Sequence, residues 1–293
     1  MEKRHFAESE LIINGDGSVF HLHVKPSQLA DKVILVGDPG RVALVASHLE
    51  DIETDVESRE FHTVTGKYNG KRITVVSTGI GCDNIDIVMN EIDALANINF
   101  DTREENDVPR SLEIVRIGTC GGLQLNTPEG TFVCSEYSVG FDGLLNFYEG
   151  RNAVCDLKME RALIAHLGWT GNMCQPYPYV IKANEELVER IAQKDMVRGI
   201  TVACGGFFGP QGRQLRIPLA DPHQNEKIES FEYQGMHITN FEMESSALAG
   251  LARLMGHRAT TVCMVIANRR AGKADTGYKT HIDDLIKIVL ERL

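Results

Sequence analysis

The chain has 293 residues, 43% apolar and 24% charged, ordinary proportions that exclude whole-chain disorder, collagen-like repeats and low-complexity sequence. Its 30 Lys and Arg stand against 41 Asp and Glu, a net charge of −11. A surface of that sign repels phosphate backbones and anionic lipid, so no nucleic-acid partner and no membrane are expected, while a small anion held by local arginines remains possible.

The chain reads as an N-terminal extension over residues 1–19 and one domain over residues 20–293. Met1 to Gly17 is polar and lacks the apolar centre of a signal peptide. Lys32–Val36 (KVILV) is a buried strand, followed by Gly37-Asp38-Pro39-Gly40-Arg41. Arg72–Ser77 is a second strand, followed by Thr78-Gly79-Ile80-Gly81. From Asp83 to Ile98, apolar Ile85, Val88, Met89, Ile92, Leu95 and Ala96 fall three and four apart. That spacing predicts a helix with Asp83 or Asn84 as its cap. Asp101–Arg110 is too polar for anything but a surface loop. Glu113–Ile117 is a strand that runs into a small-residue loop, Gly118-Thr119-Cys120-Gly121-Gly122. Thr131–Ser135 and Thr261–Ile266 are further strands, and Glu242–Met255 is a helix with Gly256 at its C-cap. A last helix covers Ile282–Leu293. The longest apolar stretch, Val262–Ala267, is far short of the ~18 residues a membrane span needs.

Strands alternating with amphipathic helices predict an α/β fold on a largely parallel or mixed sheet, with ligands beyond the C-terminal strand ends. The seven cysteines (Cys82, Cys120, Cys134, Cys155, Cys174, Cys204 and Cys263) are odd in number and widely spaced, without a C-x-x-C pair. They read as the reduced thiols of a cytoplasmic protein, not a disulfide frame or zinc site.

Two arginines stand at or beside strand ends. Arg41 follows a Gly/Pro turn and offers a planar fork suited to phosphate, although a solvated arginine after a turn would look the same. Arg116 lies inside an otherwise apolar strand, where burial is expensive without an anion. The anion could be a ligand held with the help of the small-residue loop, or a buried carboxylate of the protein itself.

GDPGR, STGIG, RIGTCGG, GPQGR and FEMES occur in that order from about Phe20 to Leu293. The set resembles the nucleoside phosphorylase family of the hexameric or trimeric type, and within it the uridine-cleaving branch. The resemblance implies a single-domain, three-layer α/β/α fold with a mixed, barrel-like central sheet flanked by helices. It implies reversible conversion of uridine and phosphate to uracil and ribose 1-phosphate, with no cofactor and no required metal. Phosphate would be held by Gly37, Arg41, Arg59, Arg116 and Thr119. Uracil would be read by Gln211 and Arg213, with Phe207 and Gly121 beside it. Ribose would meet Phe20, His21, Thr119, Glu242, Met243 and Glu244. Arg213, Gln211, Arg116 and Glu244 would be the groups acting in catalysis. Phe20, His21 and Arg59 would reach a neighbour's site, so at least a homodimer is implied, built into a homohexamer.

The pair Gln211/Arg213 suits uracil physically. The amide offers a donor and an acceptor to O2 and N3–H, and the guanidinium donates to O4. Two departures stand out. Cys204-Gly205-Gly206 replaces small polar residues before Phe207, and Cys82-Asp83-Asn84 replaces a serine-containing segment that holds a monovalent cation in some relatives. Glu60, Ile80 and Asn84 are the positions where such a cation would sit. Where purine-specific relatives carry an aspartate, this chain has Asn268-Arg269, with Asp275 the next acid. A purine nucleoside phosphorylase is thus the second reading. A hydrolytic nucleosidase would not need the phosphate arginines. A non-catalytic nucleoside-binding protein would need only the base and sugar contacts.

Overall fold

β1 (Lys32–Val36) is apolar after its first residue because it lies inside a sheet covered on both faces; Val33 to Val36 are fully buried. The computed structural model describes residues 4–169, 176–268, 270–274, 277 and 281–293. After β1 come α1 (Pro39–Ala46), the antiparallel run β2 (Glu50–Ser58), β3 (Phe61–Tyr68) and β4 (Lys71–Ser77), and then α2 (Cys82–Asn97). The next elements are β5 (Ile98–Asn99), β6 (Glu104–Glu105), β7 (Glu113–Gly122), β8 (Phe132–Gly140), α3 (Arg151–Val154), α4 (Leu157–Leu167) and β9 (Tyr179–Lys182). α5 (Glu185–Ile191), β10 (Val197–Ala203), α6 (Gln224–Ser230), β11 (Glu232–Tyr233) and β12 (Met236–Glu242) follow. α7 (Ser245–Leu254), β13 (Arg258–Asn268), β14 (Lys273–Ala274) and α8 (Ile282–Arg292) complete the described chain.

The main sheet runs β11-β12-β10-β8-β13-β7-β1-β4-β3-β2, and β12 also pairs with β7. That extra pairing, Asn240 with Gly122 and Phe241 with Gly121, closes β12, β10, β8, β13 and β7 into a five-stranded barrel. β1 is parallel to both β4 and β7, whereas β13 is parallel to β7 and antiparallel to β8. α2 and α7 cover one face through Ile85, Met89, Ile92, Leu248 and Leu251. α1, α5 and α8 cover the other through Val42, Val45, Leu187, Leu285 and Val289. The expected three-layer α/β/α arrangement around a mixed, barrel-like sheet is therefore the observed one.

Several boundaries differ from the sequence reading. The segment Gly118–Gly122 is strand, not loop, because its backbone pairs with β13 along its whole length. Thr119 and Gly121 thus belong to a rigid barrel wall, and no nest of free N–H groups forms there. The second helix starts at Cys82 with Gly81 at its N-cap and no side-chain cap; Asp83 lies in its first turn. Glu242 ends β12 and the helix begins only at Ser245, which puts Met243 and Glu244 in the bend between them. That helix ends at Leu254 with Met255 as C-cap, and Gly256 follows in the left-handed region, φ 81°. β8 and β13 extend well beyond the apolar runs that revealed them. Arg269, Asp275 and Cys174 lie outside the described residues.

Candidate active site

The C-terminal ends of β1, β4, β7, β10, β12 and β13 open onto one cavity of about 1000 Å³. Its wall contains Gly37, Arg41, Arg116, Thr119, Gly121, Phe207, Gln211, Arg213, Glu242, Met243 and Glu244. Residues more than two hundred positions apart thus meet because β1, β4, β7 and β13 run parallel and bring their C-terminal ends to one edge, where the C-terminal tip of β12 pairs antiparallel with that of β7. Asp38, Cys120, Phe241, Ile266 and Ala267 also line it; Asp38 and Cys120 belong to the segments singled out after apolar runs, whereas Phe241, Ile266 and Ala267 lie within strands and nothing in their types marks them.

Two arginines occupy one end. α1 starts at Pro39, capped by Asp38, whose carboxylate accepts from the Gly40 N–H at 2.9 Å. One turn in, Arg41 is buried and donates to the Ile117 carbonyl at 3.1 Å. Arg116 is 4% exposed; its Nη1 faces Glu242 at 3.3 Å and its Nη2 pairs with Glu244. Its Nε has no hydrogen-bond acceptor. The structure pairs Arg116 with buried carboxylates of the protein itself, the second of the two partners its sequence context left open, and also sets it in the cavity wall. A Cβ on residue 118 would lie 2.4 Å from Arg116 Nη1 and 2.9 Å from Cys263 Sγ. Gly118 is what lets the guanidinium fold back along its own strand.

The bend after β12 forms the middle of the cavity. Glu244 Oε1 accepts from the Gly81 N–H at 2.8 Å, so its carboxylate ties the start of α2 to Arg116. Glu242 accepts from the Glu244 N–H at 2.8 Å, the Ser245 N–H at 3.0 Å and the Ser245 hydroxyl at 2.6 Å. With Arg116 beside it, Glu242 has both oxygens engaged by its own chain. Burial pushes the Glu242 carboxyl up to about 7; Arg116 opposes the rise and the like charge of Glu244 adds to it. An acid raised in the folded state makes the native protein hold more protons than the unfolded chain, so stability falls as pH rises from about 4.5 to 7. Denaturant titrations should show that decline, at most about 1.4 kcal/mol per pH unit, and Glu242→Gln should flatten it.

At the other end, the segment after β10 carries Phe207, Gln211 and Arg213. It is anchored by the Cys204 N–H, which donates to the Glu242 carbonyl at 3.0 Å, and by the Cys204 thiol, which reaches the Pro210 carbonyl at 3.4 Å. Gln211 is 3% exposed. Arg213 Nη1 donates to the Phe207 carbonyl at 2.6 Å and to Gln211 Oε1, while its guanidinium lies 3.7 Å from the centre of the Phe207 ring. One face of Phe207 is thus covered by Arg213. Because a guanidinium only donates, Gln211 must present its carbonyl to Arg213, which fixes the direction of its NH₂ group.

Phe20, His21 and Arg59 do not line this cavity. His21 Nδ1 lies 2.6 Å from Glu91 Oε1, its ring packs edge-on to Phe20 at 4.8 Å, and Arg59 lies 5.6 Å from the Phe20 ring. At the β2–β3 turn Arg59 takes φ 57°, turning outward while Glu60 faces the cavity. Glu60 and Asn84 flank Gly79, where a Cβ would lie 3.4 Å from Glu60 Cγ and 2.4 Å from Asn84 Nδ2; Ile80 is 71% exposed at the mouth. Asn268 is buried, donating to the Gln124 and Thr127 carbonyls at 3.1 and 2.8 Å, so its amide closes a loop.

The model of the phosphorylase superfamily matches residues 31–292, almost the whole chain. The chain belongs to that superfamily. Among relatives it is 30% identical to a uridine phosphorylase of Thermococcus kodakarensis, over 90% of this chain and 82% of that one. It is 26% identical to a DeoD-type purine nucleoside phosphorylase of Bacillus velezensis, over 92% and 97%. Among solved structures, a Trypanosoma brucei nucleoside phosphorylase described as showing uridine phosphorylase activity superposes with TM-score 0.86, at 28% identity, over 97% of this chain and 99% of that one. In this member of the superfamily the cavity ends differ in chemistry, arginines and carboxylates at one and an amide–guanidinium pair at the other.

Proposed function

We propose that the protein catalyses the reversible phosphorolysis of uridine to uracil and ribose 1-phosphate. The observation that carries this reading is the Gln211–Arg213 pair facing the same cavity as Arg41 and Arg116. A glutamine amide suits uracil N3–H with its carbonyl and one uracil carbonyl oxygen with its NH₂, and the Arg213 guanidinium suits the other. Phosphate is gripped by Arg41, Arg116 and Thr119, and by Arg59 of a second copy of the chain. Glu244 accepts from the sugar hydroxyls. Glu242 we assign to holding Arg116 and the start of α7, since its oxygens are already engaged.

In the reaction, the C1′–N1 bond lengthens, its electron pair passes to uracil, a phosphate oxygen bonds to C1′, and the proton that hydrogen phosphate gives up on becoming the ester balances the one uracil takes up at N1. The charge on uracil spreads over O2 and O4, where Arg213 and Gln211 stabilise it as an oxyanion hole would. The phosphate dianion offsets the cationic ribose ring. Holding both reactants removes part of an entropic barrier worth up to ~7–11 kcal/mol at ideal alignment. Inorganic phosphate is co-substrate, and no cofactor or metal enters the scheme.

Phe20, His21 and Arg59 cluster outside the chain's own cavity, which supports a shared site between two copies, at least a homodimer and by resemblance a homohexamer. Among the described residues no helix is long and apolar enough to cross a membrane. With the odd, widely spaced cysteines, this supports a place in the cytoplasm. The test is a panel of uridine, thymidine, inosine and adenosine with and without phosphate. Uridine cleaved only with phosphate supports the reading. Preference for inosine would transfer it to the purine branch, and cleavage without phosphate would make it a hydrolase.

A further inference from the structure

Behind the sugar-facing bend lies a buried polar cluster that the reaction scheme does not use. Asp142 follows β8. Its Oδ1 accepts from the Tyr179 hydroxyl at 2.7 Å and the Leu144 N–H at 2.8 Å; its Oδ2 accepts from the Ser246 hydroxyl at 2.9 Å. Tyr179 Oη is also 3.1 Å from Ser246 Oγ. Ser246 lies in the first turn of α7, two residues after Glu244. Cys82, at the start of α2, lies 4.0 Å from Ser246 Oγ and donates its thiol to the Met243 carbonyl at 3.0 Å. Tyr179, Ser246 and Cys82 are all buried, and burial beside Asp142 pushes the Tyr179 hydroxyl and the Cys82 thiol well up, keeping both as neutral donors.

Asp142 also stands in the wall of a second cavity, of about 850 Å³, beside Gly205 at the start of the base-reading segment. A Cβ on Gly205 would come within 3.8 Å of Asp142 Cα. Asp142 therefore lies with its backbone beside the root of the base-reading segment, while its carboxylate reaches, through the Ser246 hydroxyl, the helix turn that carries the sugar-facing glutamate.

We propose that Asp142 is a positioning residue for the sugar site: through Ser246 and Tyr179 it fixes the first turn of α7, and so the Met243 carbonyl and the Glu244 carboxylate. Glu242 holds that turn from the cavity side, and Asp142 holds it from behind. The inference rests on the reading of Glu244 as the acceptor for sugar hydroxyls, so its test has one arm independent of substrate.

The first arm is backbone hydrogen exchange of full-length Asp142→Asn. Peptides covering residues 243–248 should exchange at least tenfold faster than in the parent protein, while peptides from β1 and β4 stay unchanged. The second arm is kcat/KM for uridine against 2′,3′-dideoxyuridine. The preference for the intact sugar should shrink at least fivefold in Asp142→Asn, where a general loss of stability would lower both substrates alike. Tyr179→Phe and Ser246→Ala, each removing one contact, should move both readouts the same way by less, and they carry the test if Asp142→Asn does not fold. Unchanged exchange at 243–248 overturns the proposal, as does an unchanged sugar preference in variants of an enzyme that shows one. If exchange rises but the parent protein shows no sugar preference, Asp142 positions the turn and the role of Glu244 is what fails.

Discussion

Replacing Arg213 by Ala should lower kcat/KM for uridine by about 100- to 1000-fold, the cost typical of losing one donor to a charge that develops in the transition state. The effect should fall on kcat as well as KM, because uracil carries far more negative charge while the bond breaks than when it first binds. Arg213 also fixes its neighbours: it donates to Gln211 Oε1 and to the Phe207 carbonyl and covers one face of the Phe207 ring. Without it the amide of Gln211 loses the partner that orients it, so both reading groups are weakened by one substitution. Arg213→Lys should recover little, since a point charge neither stacks on the ring nor offers a planar fork. The KM for phosphate should change less than about twofold, because the phosphate is assigned to Arg41 and Arg116, whereas Arg213 donates to Gln211 and Phe207. Steady-state kinetics with each substrate varied in turn checks this, and normal kcat/KM for uridine in Arg213→Ala would contradict the role.

Much of the architecture was legible in the sequence, and the reasons for the gaps are physical. β1 and β7 announced themselves because both are buried on two faces and read as continuous apolar runs. β2 gives no apolar run to find: Glu50–Ser58 is an acidic edge strand, exposed at most positions. The end of β7 was misread as loop because Gly118-Thr119-Cys120-Gly121-Gly122 has loop composition; its glycines are there for close approach, to Arg116 at 118 and to the Thr127 carbonyl at 122. The boundary between β12 and α7 was missed because Met243 and Ala247 continue a helical spacing into a bend. What holds that bend is Glu242, and no local pattern shows that a glutamate will cap a helix three residues on from a strand end. In the site, Arg116 drew attention because a charge inside an apolar strand needs a partner. Asp142 drew none, since an aspartate before a Gly-Leu turn is ordinary in sequence and becomes informative only when Tyr179 and Ser246 arrive from other elements.

Arg116→Met separates the two tasks that the structure gives Arg116. Glu242 and Glu244 would lose the cation they share, and breaking a buried ion pair from one side costs ~3–5 kcal/mol. The loss should depend on pH. With the guanidinium gone, the Glu242 carboxyl loses the cation that opposes the effect of burial, so the native protein again binds more protons than the unfolded chain. Stability of the variant should be greatest near pH 5 and fall more steeply than that of the parent as pH rises to 8. Adding Glu242→Gln removes one of the stranded charges, and the double variant should recover much of that stability at pH 8. Activity should not follow. If Arg116 holds phosphate as well as carboxylates, phosphorolysis of uridine should remain at least 1000-fold down in the double variant, with the KM for phosphate raised, even where chemical denaturation shows a sound fold. Recovery of turnover along with stability would mean that Arg116 only neutralises the glutamates and that phosphate is gripped elsewhere. The experiment thus decides between a ligand-holding and a structural arginine, the choice that an arginine inside an apolar strand left open.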